Sequence, residues 1–130
     1  MSTLKTGKVK TTTIADELDT ESTAVTNVIN GSANAWVNFN GTGAVAIRRS
    51  FNVSSITDNG VGTYTVNFTT AMADANYGIS GAAGELATNL ANVSQPFNSV
   101  PPTVNAVRIN VTYVNSTLYD TPIVTVAVFR

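Results

Sequence analysis

Apolar and polar residues alternate with a period of two along most of the chain after Ala35. In residues 63–68, Tyr64, Val66 and Phe68 alternate with Thr and Asn. This period is typical of a β-strand with one buried face and one solvated face. The same pattern predicts strands at residues 36–39, 45–53, 64–68, 77–79 and 107–113.

The last apolar segment, IVTVAVF at Ile123–Phe129, is nearly all hydrophobic and does not follow the alternation. Such a segment is typical of a strand that is covered on both faces. It therefore predicts a strand covered on both faces within the domain, or a strand buried in a subunit interface.

Glycine and asparagine separate the predicted strands. Asn40-Gly41 is a dipeptide favoured in tight hairpin turns, and residues 58–62 (DNGVG) contain two glycines that permit positive φ. About seven short strands joined by such turns indicate an all-β domain, either an antiparallel β-sandwich or a small barrel.

Residues 81–102 interrupt the pattern, since they are rich in Ala, Gly, Asn and Ser and end in two prolines. This composition predicts a long loop, with a brief helix possible at residues 85–91. Loops of this length in compact domains usually have a function or pack against another surface.

The first 34 residues form a different region. They contain three lysines followed by four acidic residues, and they show no strong periodicity. A frayed terminus is one interpretation. The apolar positions Val9, Ile14 and Leu18 favour the other, an extended anchoring arm with one short helical turn that orders against a neighbouring subunit. We therefore expect an arm at residues 1–34 and a β domain at 35–130.

The composition limits the kinds of partner. Charged residues make up only 12% of the chain, and the net charge is −1. A surface with so little charge is weakly protected against self-association, which favours a protein that works within an assembly. Arg48 and Arg49 are the only adjacent basic pair. We expect no nucleic-acid partner, and no membrane insertion because no apolar stretch approaches about 20 residues.

The inventory of reactive side chains argues against catalysis. The chain has no His and no Cys, so imidazole and thiolate chemistry are excluded. Outside the N-terminal cluster the carboxylates are Asp58, Asp74, Glu85 and Asp120, and none of them occurs in a catalytic motif. We expect a non-enzymatic protein without a cofactor. A calcium site at Asp58-Asn59 or at residues 16–19 is less favoured than turn or surface roles.

Aromatic residues are the remaining candidates for a binding site, because they can stack on sugars. The alternation places Trp36, Tyr64, Tyr77 and Tyr113 at positions where burial is expected. Tyr119, near a turn, and Phe97, in the predicted long loop, are the candidates for a receptor-facing surface.

Two segments, AWVNFNGTGAVAIRRSFNVSSITDNG and GTYTVNFTTAMADANY, resemble a recurring module of tailed-bacteriophage structural proteins from marine and cyanobacterial phages. The opening MSTLKTGKVK is similar to the N-termini of the same group. The resemblance implies a tail-fibre-like or other virion structural protein, assembled in the host cytoplasm and present as a homo-oligomer, typically a trimer. No functional residue is carried over, because the shared motif is structural.

The short length of the chain leaves two roles open within this resemblance. One is a short trimeric tail or head fibre that attaches to other virion proteins through its arm and displays the β domain to a host surface glycan or protein. The other is a decoration protein that stabilises the capsid shell. A carbohydrate-processing enzyme is a remote third reading of the residues.

Overall fold

The computed structural model describes residues 11–15, 22–84, 90–96, 99–113 and 115–130. The chain divides into two compact units, Met1–Ser32 and Ala33–Arg130. In the first unit, strand β1 (Thr13–Ala15) pairs antiparallel with β2 (Ser22–Ala24), and helix α1 (Val25–Gly31) follows. Among the described residues, no helix has the length and apolarity needed to cross a membrane.

The second unit contains one eight-stranded sheet in which every neighbouring pair is antiparallel. Its strands are β3 (Ala33–Asn40), β4 (Ala46–Phe51), β5 (Val53–Asp58), β6 (Thr63–Phe68), β7 (Gly78–Gly84), β8 (Leu90–Ser94), β9 (Ala106–Tyr113) and β10 (Ile123–Phe129). Across the sheet they lie in the order β4-β3-β10-β7-β8-β9-β6-β5. The all-β prediction is confirmed, and the sheet takes the form of a nearly closed barrel.

The two edge strands of the sheet, β4 and β5, are joined by the single residue Asn52. Asn52 has a φ of 54°, a left-handed conformation that Asn tolerates better than most residues. Its side-chain amide donates to the carbonyls of Asn34 and Thr70 at 3.1 Å, and its Oδ1 accepts from the Thr70 N–H at 2.7 Å. These bonds hold the two edges of the sheet next to each other.

The core lies inside the curved sheet. It is formed by alternate, inward-facing residues of β3, β6, β9 and β10, with Val53 of β5 and with Met72 and Tyr77 from a loop. The strand residues are Ala35, Val37, Phe39, Tyr64, Val66, Phe68, Val107, Ile109, Val111, Val124, Val126 and Val128. Edge-to-face ring contacts join Phe39 to Tyr64 and Phe68 to Tyr77, with ring centroids 5.1 and 5.8 Å apart. Such pairs add to the stabilisation from apolar burial.

The prediction of one long loop at residues 81–102 was wrong. The start of this segment belongs to β7, and residues 90–94 form β8. Gly81 explains the error, because a Cβ there would lie 2.8 Å from Val93 Cγ1. Small residues are needed where β7 and β8 approach closely, and they hid the strand pattern. Of the helix considered at residues 85–91, residues 85–89 lie outside the described residues, and Ala91 lies in β8.

The single strand predicted at residues 45–53 is also different in the structure, because the chain turns at Asn52 and forms the two edge strands. As an edge strand, β4 is largely exposed, including Ile47 and Phe51. The alternation alone had predicted a more buried strand here.

The domain has two distinct ends. One end, which we call the Asn52 end, contains Asn52, Ala33 and Arg130. Here β3 starts and β10 finishes, because these two strands are antiparallel neighbours. The opposite end, which we call the Asp120 end, carries the turns 41–45 and 59–62 and the loop 115–122. The segment before Ala33 therefore joins the β domain at the end away from these turns.

We predict that Gly62→Ala destabilises the domain by more than about 3 kcal/mol. Gly62 has a φ of 61°, and a Cβ there would lie 2.5 Å from both the Val111 carbonyl oxygen and the Tyr119 nitrogen. Gly43 is the matched control, because it also has a φ of 61° but has open space around it. Gly43→Ala should cost only about 1 kcal/mol. Equal losses in urea denaturation would contradict this assignment.

Candidate binding surface

The outer surface of the barrel has two halves of opposite character. On the half formed by β8, β9, β6 and β5, polar side chains bond to one another. Asn67 Nδ2 lies 2.9 Å from Thr57 Oγ1, and Arg108 Nη2 lies 2.8 Å from Asn59 Oδ1. Asn59 Nδ2 in turn donates to Thr65 Oγ1 at 2.9 Å. This half is a polar surface with a network of side-chain hydrogen bonds, typical of a solvated sheet face.

The other half, formed by β4, β3, β10 and β7, exposes large apolar side chains next to polar ones, and we call it the Trp36 face. Two rows of side chains cross it, as the strand register shows. The first row is Phe51, Trp36, Ala127 and Ser80, and the second is Arg49, Asn38, Thr125 and Ala82. The face is therefore an aromatic row beside a polar row.

Trp36 is the largest side chain of the Trp36 face and is 37% exposed, while its strand neighbours Ala35 and Val37 are buried. Phe51, directly opposite on β4, is 55% exposed. Ser80, Ala82 and Ala127 are too small to cover the indole ring. They form part of the floor of an open groove of about 420 Å³ beside it.

A β-bulge in the pairing of β3 with β4 places two arginines on this face. Asn38 lies opposite Arg49, and the next partner pair is Phe39 with Ile47, so that Arg48 is the extra residue. Arg48 Nη1 lies 3.3 Å from Asn38 Oδ1 on the outer side of the sheet. Bulges re-aim side chains in this way. In the sequence, Arg48 and Arg49 were recognisable only as an adjacent basic pair, without a connection to Trp36.

The burial predicted for the aromatic residues is confirmed for Tyr64 and Tyr77 but was wrong for Trp36. Trp36 has an even number between the inward-facing Ala35 and Val37, so its side chain points outward. The expectation that β10 is covered on both faces is also not met within this chain. Val124, Val126 and Val128 are buried, whereas Ile123 on the outer side is 42% exposed.

At the Asp120 end, a buried hydroxyl and a carboxylate connect three loops. The Tyr64 hydroxyl donates to Asp120 Oδ1 at 2.6 Å and lies 2.9 Å from the Gly41 carbonyl oxygen. The Gly62 N–H donates to the same Asp120 oxygen at 2.7 Å. Burial first, and then the Asp120 carboxylate, raise the pKa of the Tyr64 hydroxyl well above its ordinary value. Asp120 therefore holds the turns in place.

The other carboxylates of the described β domain are also engaged in structural contacts. Asp58 Oδ1 accepts from the Gly60 N–H at 2.9 Å, and Asp74 Oδ2 lies 2.6 Å from Arg130 Nη2. The hydrogen bond from Arg130 is the main reason that the pKa of Asp74 is lowered. Within the described part of the chain, no three acidic, His or Cys side chains come together as metal ligands would. Residues 16–19, the other calcium candidate, lie outside the described residues.

The residues proposed from the sequence for binding and anchoring lie in different places. Tyr119 is half-buried at the Asp120 end, with its ring centroid 4.2 Å from that of Tyr113. Ile14 lies in β1 and is 48% exposed. Phe97, Val9 and Leu18 lie outside the described residues. The receptor-facing role of Tyr119 and Phe97, and the anchoring role of the other three, stay predictions.

Comparison with known proteins gives a structural match but no family. No protein-family model matches the chain, and no curated protein matches it. A solved structure that does match is the phiAB6 tailspike in complex with three-repeated oligosaccharides of Acinetobacter baumannii surface polysaccharide. The match has a TM-score of 0.48 and 10% sequence identity, and it covers 90% of this chain and 22% of the tailspike chain.

We predict that Trp36→Ala lowers the free energy of unfolding by only about 1 kcal/mol, because the indole lies on the outer surface. Phe39→Ala is the matched control from the same strand. Phe39 is 0% exposed in the core, so its loss should cost about 3–5 kcal/mol. Chemical denaturation of both variants measures the difference. A larger loss for Trp36→Ala would mean that the indole serves the fold instead of a surface.

Alkaline pH should destabilise the β domain above about pH 10. Burial raises the pKa of the Tyr77 hydroxyl to about 12, whereas in the unfolded chain it is near 10. Because the folded state binds the Tyr77 proton more tightly, the contribution of this hydroxyl to the free energy of unfolding is complete below pH 10. It is lost as the pH rises towards 12. The raised pKa of Tyr64 acts in the same direction.

Tyr77→Phe removes one of these two hydroxyls, so the decline of stability between pH 10 and 12 should be shallower than in the wild type. Denaturation curves at pH 8, 10, 11 and 12 measure this slope. An unchanged slope would show that Tyr77 does not contribute to the alkaline transition.

Proposed function

We propose that this chain is a non-enzymatic virion structural protein of a tailed bacteriophage, acting as a short trimeric tail or head fibre. Residues 1–34 attach it to another virion protein, and the β domain is displayed for adsorption to a host surface glycan or protein. The resemblance of residues 35–77 to phage structural proteins supplies the biological setting.

The observation that carries this proposal is the polarity of the β domain. Ala33, where the preceding segment enters, lies at the Asn52 end, and the turns 41–45 and 59–62 lie at the opposite end. Within the β domain, these turns therefore lie at the end opposite the start of β3, where the preceding segment is attached. This arrangement suits a protein that is fixed at one end of its β domain and exposes the sides and the far turns of that domain to a ligand.

The non-enzymatic part of the proposal is supported by the use of the carboxylates. Asp58, Asp74 and Asp120 each accept a hydrogen bond from a backbone N–H, and Asp74 also pairs with Arg130. A glycoside hydrolase requires two carboxyl groups facing each other across a cleft. Here Asp58 stabilises its own turn, Asp74 binds the C-terminal Arg130, and Asp120 connects the loops of the Asp120 end.

A capsid decoration protein is the second candidate, and the Trp36 face is the observation that favours it. A broad outer face with exposed Trp36, Phe51 and Ile123 can pack against flat apolar surfaces of capsid subunits. In that role the protein would stabilise the shell by burial, with little contribution from charge.

Copy number in purified phage particles tests the proposal. We expect few copies per particle relative to the major capsid protein, as measured by quantitative mass spectrometry, and density for the protein at the tail or a vertex. One copy per capsid subunit would support the decoration role instead. Absence of the protein from mature particles would contradict both roles.

Deletion of residues 1–32, which leaves β3 and the Asn34–Asn52 hydrogen bond intact, tests the attachment role of the arm. The β domain alone should be missing from particles while remaining folded by circular dichroism. Normal incorporation without these residues would overturn the anchoring role of the arm.

A further inference from the structure

The first row of the Trp36 face offers a flat aromatic surface to solvent. Trp36 and Phe51 are cross-strand partners with 37% and 55% of their surfaces exposed. An indole ring can stack on the apolar C–H face of a sugar ring, because it presents a rigid flat surface at a low entropy cost. The neighbouring Ala127 and Ser80 are small and leave the ring accessible from one side.

The second row supplies the polar groups that a sugar also requires. Asn38 and Thr125 lie opposite each other on β3 and β10, and both line the open groove with Trp36. Side-chain amides and hydroxyls can donate to and accept from sugar hydroxyls. An apolar floor with a few placed polar groups is the usual composition of a ligand site.

Arg48 and Arg49 give this face a positive charge, and no carboxylate of the described residues forms an ion pair with either of them. The carboxylates of the described β domain are engaged elsewhere: Asp120 with Tyr64, Asp74 with Arg130, and Asp58 within its own turn. Arg48 bonds to the neutral Asn38. A guanidinium group favours carboxylates because it can form two parallel hydrogen bonds with them.

The spacing of the rows brings the arginines within reach of a sugar stacked on the indole. Trp36 and Arg49 are diagonal neighbours across the β3–β4 pair, and diagonal positions in an antiparallel pair lie roughly 7–8 Å apart. The long arginine side chain can cover this distance. The bulge at Arg48 adds a second guanidinium on the same side.

From this arrangement we propose that the Trp36 face binds an acidic polysaccharide, with one sugar ring stacked on Trp36 and a sugar carboxylate held by Arg48 and Arg49. This ligand class rests on the adsorption function proposed above, since it specifies what the β domain binds. It also places the binding site on the side of the barrel, away from Tyr119.

A polysaccharide suits this face better than an acidic protein segment. The groove is shallow and open, and its floor is made of Ala82, Ala127 and neighbouring backbone, without a deep pocket for a side-chain anchor. A second copy of the chain, docked face to face about a two-fold axis, would bring the two arginine pairs together and is disfavoured by their repulsion.

Fluorescence can test the proposal directly, because Trp36 is the only tryptophan of the chain. Oligomers of polygalacturonate, an acidic polysaccharide, should change the emission of the purified full-length protein in a saturable way. Dextran, which is neutral, should bind at least roughly tenfold more weakly, because it lacks the carboxylate that the arginines hold. Poly-glutamate should also bind more weakly, because it has no sugar face to stack on the indole.

Variants assign the binding to the face. The double variant Arg48→Gln/Arg49→Gln should weaken polygalacturonate binding roughly tenfold, whereas Arg108→Gln, on the polar half of the barrel, should leave it unchanged. For Trp36→Ala, calorimetry replaces fluorescence, and a loss of roughly tenfold is expected. Trp36→Phe keeps an aromatic ring and should retain part of the affinity, which separates loss of stacking from loss of folding.

Several results would overturn the proposal. The first is that dextran or poly-glutamate binds as tightly as polygalacturonate. The second is that no probe binds at all. The third is that Arg108→Gln weakens polygalacturonate binding as much as the double variant Arg48→Gln/Arg49→Gln. Conversion of an oligomer into monomers by Trp36→Phe, measured by light scattering, would also overturn it, because the face would then be a subunit interface. Copy number in particles is measured independently, so failure of the fibre role is distinguishable from failure of this site.

Discussion

Burial of one set of inward-facing side chains is the interaction on which the whole β domain depends. Strands β3, β6, β9 and β10 contribute alternate residues to a single core, and a sheet of eight strands can enclose that core only by curving until its edges approach. Asn52 makes this possible at one end, since it turns the chain directly from one edge strand into the other. At the opposite end, the Tyr64–Asp120 pair connects loops that are far apart in sequence.

Because the inner face supplies the stability, the outer face is free to differ from place to place. One half of the barrel uses this freedom for a polar network around Asn67 and Arg108. The other half exposes Trp36 and Phe51 above small residues of β7 and β10. An exposed apolar face on a stable scaffold costs solubility and is characteristic of interaction surfaces. The difference between the halves is therefore the main structural sign of function in this chain.

The β-bulge beside Asn38 shows how a local irregularity contributes to such a surface. In a regular strand, adjacent residues point to opposite faces, so Arg48 and Arg49 would have been separated. The inserted residue shifts the register and brings both to the Trp36 face. Without the bulge, Arg48 would lie opposite the inward-facing Phe39 and point into the core. A buried arginine without a carboxylate partner carries a large desolvation penalty, and the bulge avoids it.

The sequence by itself determined the class of the fold and most of its strands, because the period of two in residues such as Tyr64, Val66 and Phe68 is a local property. It could not determine β7 and β8. Position 81 must be glycine because Val93 of the neighbouring strand lies against it, and the alternation of residues does not show which residues become neighbours across strands. Periodicity states which residues share a face, but only the tertiary structure decides which face is covered. That decision placed Trp36 outside, joined it to Arg48 and Arg49 through a bulge, and paired Tyr64 with Asp120, which lies 56 residues further along the chain.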